Sequence, residues 1–223
     1  MNETELKEFE ELTNVIANPP STDSYNKANE KLNAFVSEIE NWDKLISCLE
    51  TSKDSNALFF SAISLKNLFA DNWTKVQSEK RIELRKYCLK FLETRGPDCK
   101  REVLNAVIML LVKVVKMSWF DHDSHKNIVD DVLSFFNISI GHCFIGILTL
   151  EQIIVEMTYV NKGKTLIQNR RISVNFRDKC LLQVYGTSIT LLKELHQNLM
   201  NSSNSDTTIL KQALYHCLSL AHK

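Results

Sequence analysis

Apolar residues recur along this chain with a helical period, and the runs fall into pairs. Leu6, Phe9, Leu12 and Ile16 share one helical face, and Pro19-Pro20 closes that run because proline lacks the N–H and clashes with the preceding turn. Tyr25, Ala28, Leu32, Phe35, Val36 and Ile39 mark a second helix, with Ser21 or Thr22 placed to cap its start. Trp42, Leu45, Ile46 and Leu49 predict a short third helix. Leu58, Ala62, Leu65 and Phe69 predict a fourth, begun by Asp54.

The pattern then repeats. Leu84, Tyr87, Cys88, Phe91 and Leu92 follow the spacing of an amphipathic helix. Gly96-Pro97 ends that helix, and Asp98 is positioned to cap the next, which runs to about residue 116. A further pair covers roughly 124–136 and 139–159. The polar connection at 161–165 leads to a long helix from about 170 to 200; 201–206 reads as a loop, and a last helix starts near Thr207. The expected fold is therefore all-α, an α-solenoid of about five HEAT-type helical hairpins, each on the order of 40 residues. Each hairpin has an apolar face that only its neighbours can cover. No polar closing element follows the last apolar helix, so the chain is expected to be the front part of a longer array.

Composition sharpens this picture. Gly is 5 and Pro 3 of 223 residues, which leaves little material for β-hairpins or long loops. A hydrophobic share of 44% supplies a core and predicts a soluble protein. The apolar runs 104–115 and 144–155 are shorter than the roughly 20 residues of a membrane span and read as helices covered on more than one side. The opening Met1-Asn2-Glu3-Thr4-Glu5 lacks the basic-then-apolar order of a secretory signal. Six dispersed cysteines with no CxxC pair fit a reducing compartment. The formal net charge of zero argues against nucleic acid as a partner. Lys80, Arg81, Arg85, Lys86 and Lys90 form a local basic patch that reads as a solvated helix face.

Catalytic chemistry finds no support in the residues, and neither a catalytic site, a metal nor a cofactor is expected. Asp121, His122, Asp123 and His125 cluster, but with no cysteine or further ligand they read as a polar turn with an aspartate cap rather than a metal site. Gly163-Lys164-Thr165 ends like a phosphate-binding loop, yet Thr158 stands where that loop needs a glycine and no strand precedes it. His142-Cys143 and His216-Cys217 lie inside helices, without a third group to orient a nucleophile.

The fourth helix is more informative. Ala62-Ile63-Ser64-Leu65-Lys66-Asn67-Leu68, followed by Trp73 and the helix 79–92, resembles the second HEAT repeat of the importin-β superfamily. Ala28-Asn29-Glu30-Lys31-Leu32 resembles the first-repeat pattern of the same N-terminal domain. Ile82-Glu83-Leu84-Arg85-Lys86-Tyr87, Leu92-Glu93-Thr94-Arg95, Trp119-Phe120-Asp121, Cys143-Phe144-Ile145-Gly146, Arg171-Ile172-Ser173 and Phe176-Arg177-Asp178 are similar to the exportin-7 branch, also called Ran-binding protein sixteen and seventeen.

That resemblance implies a nuclear export receptor whose first repeats bind the GTP form of the small GTPase Ran. Residues 1–117 would be the Ran-binding repeats and 118–223 further repeats. Protein cargo and Phe-Gly nucleoporins would be bound mostly by repeats beyond this chain; neither nucleic acid nor a membrane is an expected partner. The receptor would shuttle between nucleus and cytoplasm. The inner helices, roughly 22–37, 54–72 and 98–117, would face Ran. Lys66 and Asn67 match the family string and lie off the apolar stripe, so they are the first candidates. Asn105 and Lys113 interrupt an apolar helix and mark its open face; for Asn105 the other reading is a hydrogen bond to the adjacent repeat. Trp73 and Trp119 read as packing residues between repeats. The alternative to a receptor is a truncated HEAT-repeat scaffold without receptor activity.

Overall fold

Helices account for the regular structure throughout a computed structural model that describes residues 1–160, 164–201 and 207–222. Their order is α1 (Glu3–Ala17), α2 (Thr22–Ser37), α3 (Trp42–Thr51), α4 (Ser55–Asn72), α5 (Ser78–Thr94), α6 (Arg101–Met117), α7 (Ile128–Leu133), α8 (Ile140–Thr158), α9 (Leu166–Phe176), α10 (Leu182–Asn201) and α11 (Thr207–His222). Short 3-10 turns occupy Ile39–Asn41, Gly96–Asp98, Asp123–Asn127 and Ser134–Asn137, and a π-helical turn, Arg177–Leu181, joins α9 to α10. No strand occurs among the described residues. This is an all-α helical repeat architecture of the HEAT-like kind. The chain divides into two compact units, one of Met1–Gln77 with Cys99–Leu110 and the other of Ser78–Asp98 with Leu111–Lys223.

Local chemistry sets the helix starts in the first unit. Asn2 caps α1 in a reciprocal capping box with Glu5, and Ser21 and Asp54 cap α2 and α4 by accepting from backbone N–H groups. The core is built from Phe9 of α1, Leu32 of α2, Leu45 and Leu49 of α3, and Leu58, Leu65 and Phe69 of α4. The rings of Phe9 and Phe35 lie 5.5 Å apart, and those of Trp42 and Phe69 6.3 Å apart. Polar ties join α1 to the start of α4. Ser52 donates to Glu10 at 2.6 Å, and Asn56 donates to Asn14, which itself donates to Asp54 at 3.1 Å.

In the second unit α8 is the central element. It is long and apolar enough to cross a membrane by length and composition, yet Ile145, Ile147, Leu150, Ile153 and Met157 are all buried by protein, against α11 among others. Most of the apolar run 144–155 is therefore covered by protein, with Val155 left exposed. Trp119 is fully buried, donates to Asn175 Oδ1 at 2.9 Å and meets Phe176 edge-on at 5.9 Å.

Several boundaries differ from the sequence reading. Asp98 lies in a 3-10 turn and α6 begins only at Arg101. The expected helix at 124–136 is a six-residue α7 flanked by two 3-10 turns. The long helix starts earlier, at Leu166, where Thr165 and Gln168 form a capping box, and it contains the π turn. Most of the connection at 161–165 and of the loop at 201–206 lies outside the described residues.

Candidate functional site

Helix α4 buries two sides of its surface. Ala57, Leu58, Ser61, Ala62, Ser64, Leu65, Leu68 and Phe69 are covered, so the more open face consists of Phe59, Phe60, Ile63, Lys66 and Asn67. Phe59 and Phe60 meet edge-on at 5.5 Å. Lys66 is half-buried and Asn67 exposed, side by side on one turn. This face combines an amide and an ammonium group with an apolar strip whose aromatic rings are of the kind enriched where one protein docks on another.

Asn105 is exposed on α6, on one stripe with Glu102 and Met109; its amide meets solvent rather than an adjacent helix. Lys113 is in a different state. Its Nζ lies 2.5 Å from Glu156 Oε1, with both side chains mostly covered at 18% and 14% exposure. The structure thus sets Lys66 and Asn67 together, keeps Asn105 on a separate helix, and engages Lys113 in an ion pair.

Sequence reasoning missed Lys116. It is fully buried, and its Nζ donates to the backbone carbonyls of Glu156 and Tyr159 at the end of α8, satisfying carbonyls that a helix terminus leaves open. Burial lowers its pKa to about 8, opposed by the nearby Glu156 carboxylate. The signal available was a second lysine in an otherwise apolar run.

The first unit also carries an open groove of about 790 Å³ along α1 and α2. Leu12, Val15 and Phe35 contribute apolar surface, Glu8 and Glu11 stand on the α1 side, and Lys27 and Lys31 stand on the α2 side. Lys44 bonds Glu5 at 2.9 Å and holds its carboxyl below the usual range.

The basic patch on α5 is corrected in part. Arg81 and Arg85 are buried, not solvated, and pair with Asp121 and Asp131. These carboxylates lie 40 and 46 residues further along, so no local sequence signal announces them. The turn at 121–125 is capped by His122, which accepts from the Ser124 N–H, where an aspartate was expected. Asp123 pairs with Lys126 at 2.6 Å.

His125 is buried, and neither of its ring nitrogens has a hydrogen-bond partner. No group of three or more His, Cys, Asp or Glu side chains is placed to hold a metal among the described residues. His142 is hydrogen-bonded to Ser139 and to the Glu93 carbonyl, and His216 to Glu151. Their neighbours Cys143 and Cys217 are buried thiols with pKa values pushed up by burial to about 11 and about 12, the opposite of an activated nucleophile.

Comparison with known proteins adds to this geometry. Residues 28–94 match the family described as Importin-beta N-terminal domain, a span that includes Lys66 and Asn67 but neither Asn105 nor Lys113. The chain is 28% identical over 222 residues to Exportin-7-B of Xenopus laevis, covering 96% of this chain and 20% of that protein. It is 31% identical over 191 residues to Ran-binding protein 16 of Drosophila melanogaster, covering 81% of this chain and 17% of that one. Ran-binding protein 17 of Homo sapiens is 28% identical over 175 residues, covering 75% and 16%. The chain spans about a fifth of the length of these relatives. It is thus a helical-repeat protein with an importin-β N-terminal-type segment and partial homology, at moderate identity, to the exportin-7 and Ran-binding protein 16 and 17 chains.

Proposed function

We propose that this chain is the N-terminal segment of a nuclear export receptor, an array of about five HEAT-type hairpins that binds the GTP form of Ran and acts by binding rather than catalysis. The observation that carries the reading is the importin-β N-terminal match over residues 28–94 within a chain similar along 96% of its length to an exportin. The names of further relatives, Ran-binding protein 16 and 17, support Ran as the partner. Lys66 and Asn67 on α4, together with Asn105 on α6, are the side chains assigned to Ran, and Lys113 joins them if Glu156 releases it. Protein cargo and Phe-Gly nucleoporins are partners of the whole receptor, which shuttles between nucleus and cytoplasm.

The mechanism needs only a difference in affinity. A GTPase orders its switch loops around the γ-phosphate, and a surface that fits the ordered loops selects the GTP form without touching the nucleotide. Capture by immobilised chain at matched salt tests this: Ran locked in the GTP state is retained and Ran-GDP is not. Equal capture of both forms overturns the reading and leaves a helical scaffold without receptor activity. Asn67→Ala, alone and with Lys66→Ala, lowers capture about fivefold or more with unchanged helicity by circular dichroism. Lys113→Ala is a poorer probe because it also strips Glu156 of its ion-pair partner.

A further inference from the structure

Helix α9 exposes apolar residues beside arginine. Ile167, Arg170, Arg171 and Val174 fall at i, i+3, i+4 and i+7, which places them on one face. The opposite face is committed to packing, since Asn169, Ile172 and Phe176 are buried. Ile167 is 80% and Val174 38% exposed, so this strip meets water although it could have been polar at no cost to the core.

Phe120 adjoins the strip. Its ring is 41% exposed, and the Arg171 guanidinium lies over it, 4.5 Å from the centroid. These residues line an open concavity of about 490 Å³. An arginine stacked on an aromatic ring has lost freedom already and keeps its N–H edge for a carboxylate. The carboxylates close by have other duties: Asp178 pairs with Arg177, Asp123 with Lys126 and Asp121 with Arg81. Among the described residues, no ion pair engages Arg170 or Arg171.

We infer that this strip docks a short acidic peptide segment of a partner protein, one that sets carboxylates against Arg170 and Arg171 and an aliphatic or aromatic anchor against Ile167, Val174 and Phe120. Charge complementarity selects the acidic flank, and the apolar pair bracketing the arginines selects the anchor. A nucleic acid fits less well: two arginines and one aspartate line the concavity, too little positive charge for a phosphate track. The inference is independent of the Ran reading and uses other residues.

Fluorescence anisotropy with the whole chain tests it. The probe is a fluorescein-labelled synthetic peptide of glutamate pairs alternating with leucine and phenylalanine. Two further probes are a charge-matched peptide with serine at every apolar position and an oligothymidylate. The first peptide binds, and the other two bind at least about tenfold more weakly. Arg170→Glu with Arg171→Glu, and separately Ile167→Ser with Val174→Ser, each weaken the first peptide about tenfold or more. Asn67→Ala leaves its binding unchanged. All these side chains are off the core, and helicity by circular dichroism confirms the fold of each variant. Equal binding of the serine peptide or of the oligonucleotide overturns the proposal, as does insensitivity to either pair of substitutions.

Discussion

His125 has no exposure to solvent and no hydrogen-bond partner at either ring nitrogen. Burial, reinforced by the Arg85 charge, lowers its pKa from 6.5 to about 4; Arg81 and His122 act in the same direction and Asp121 against them. The native state therefore keeps the ring neutral in a range where the unfolded chain takes up a proton. Stability from this site is complete above pH 6.5 and falls as pH drops towards 4. The full loss is on the order of 3 kcal/mol for a shift of this size. Thermal unfolding at pH 7 and pH 5 checks it: His125→Leu shows a smaller drop in midpoint than the parent chain. An equal drop in both would assign the acid sensitivity to other groups.

Helix α8 shows how one missing methyl decides an element's packing. A Cβ on Gly146 would lie 2.3 Å from Cε1 of Phe136, in the 3-10 turn Ser134–Asn137 that packs on α8. Alanine improves intrinsic helix propensity by about 1 kcal/mol, whereas forcing the ring aside costs about 1–3 kcal/mol. Gly146→Ala is therefore expected to lower stability in urea unfolding, and Phe136→Leu in the same chain to recover part of the loss. Most helices were legible because their buried residues follow a single stripe, as in α3 with Trp42, Leu45, Cys48 and Leu49. The short α7 was not, because Ile128, Val129 and Val132 carry the same pattern whether the turns beside them are α or 3-10. Lys66 and Asn67 could be singled out by their string, but their exposure follows from what packs on α4, which no local pattern states.

Over the whole molecule, cysteine placement offers a report on integrity. Cys48, Cys88, Cys143, Cys180 and Cys217 are buried and Cys99 is half-buried. Burial also raises the pKa of Cys88, Cys143, Cys180 and Cys217, which further slows reaction through the thiolate. Native chain treated with a thiol reagent at neutral pH is expected to label rapidly at Cys99 alone, and all 6 thiols to react in denaturant. Rapid labelling of several thiols under native conditions would show that the buried packing opens readily. The molecule is a run of repeated helices with partial homology to the exportin-7 and Ran-binding protein 16 and 17 chains. The ties that close its second unit, Arg81 to Asp121 and Lys113 to Glu156, span about 40 residues and had no counterpart in the linear pattern.

The π turn between α9 and α10 has a consequence for how this chain tolerates insertions and deletions. Phe176, Cys180, Val184 and Ser188 are all buried and each four residues apart; in an unbroken α-helix three such steps would swing the stripe about 120° around the axis. Widening one turn at Arg177–Leu181 absorbs one residue, roughly 100° of rotation, and keeps the stripe on one side. That turn therefore behaves as the scar of a single-residue insertion. Deleting Lys179 should restore a regular helix with both flanks still in phase and leave the thermal midpoint within a few degrees. Deleting Thr190, in the regular part of α10, should rotate everything after it and lower the midpoint sharply. Similar losses from both deletions would mean that the turn is held by its own contacts rather than by a spare residue.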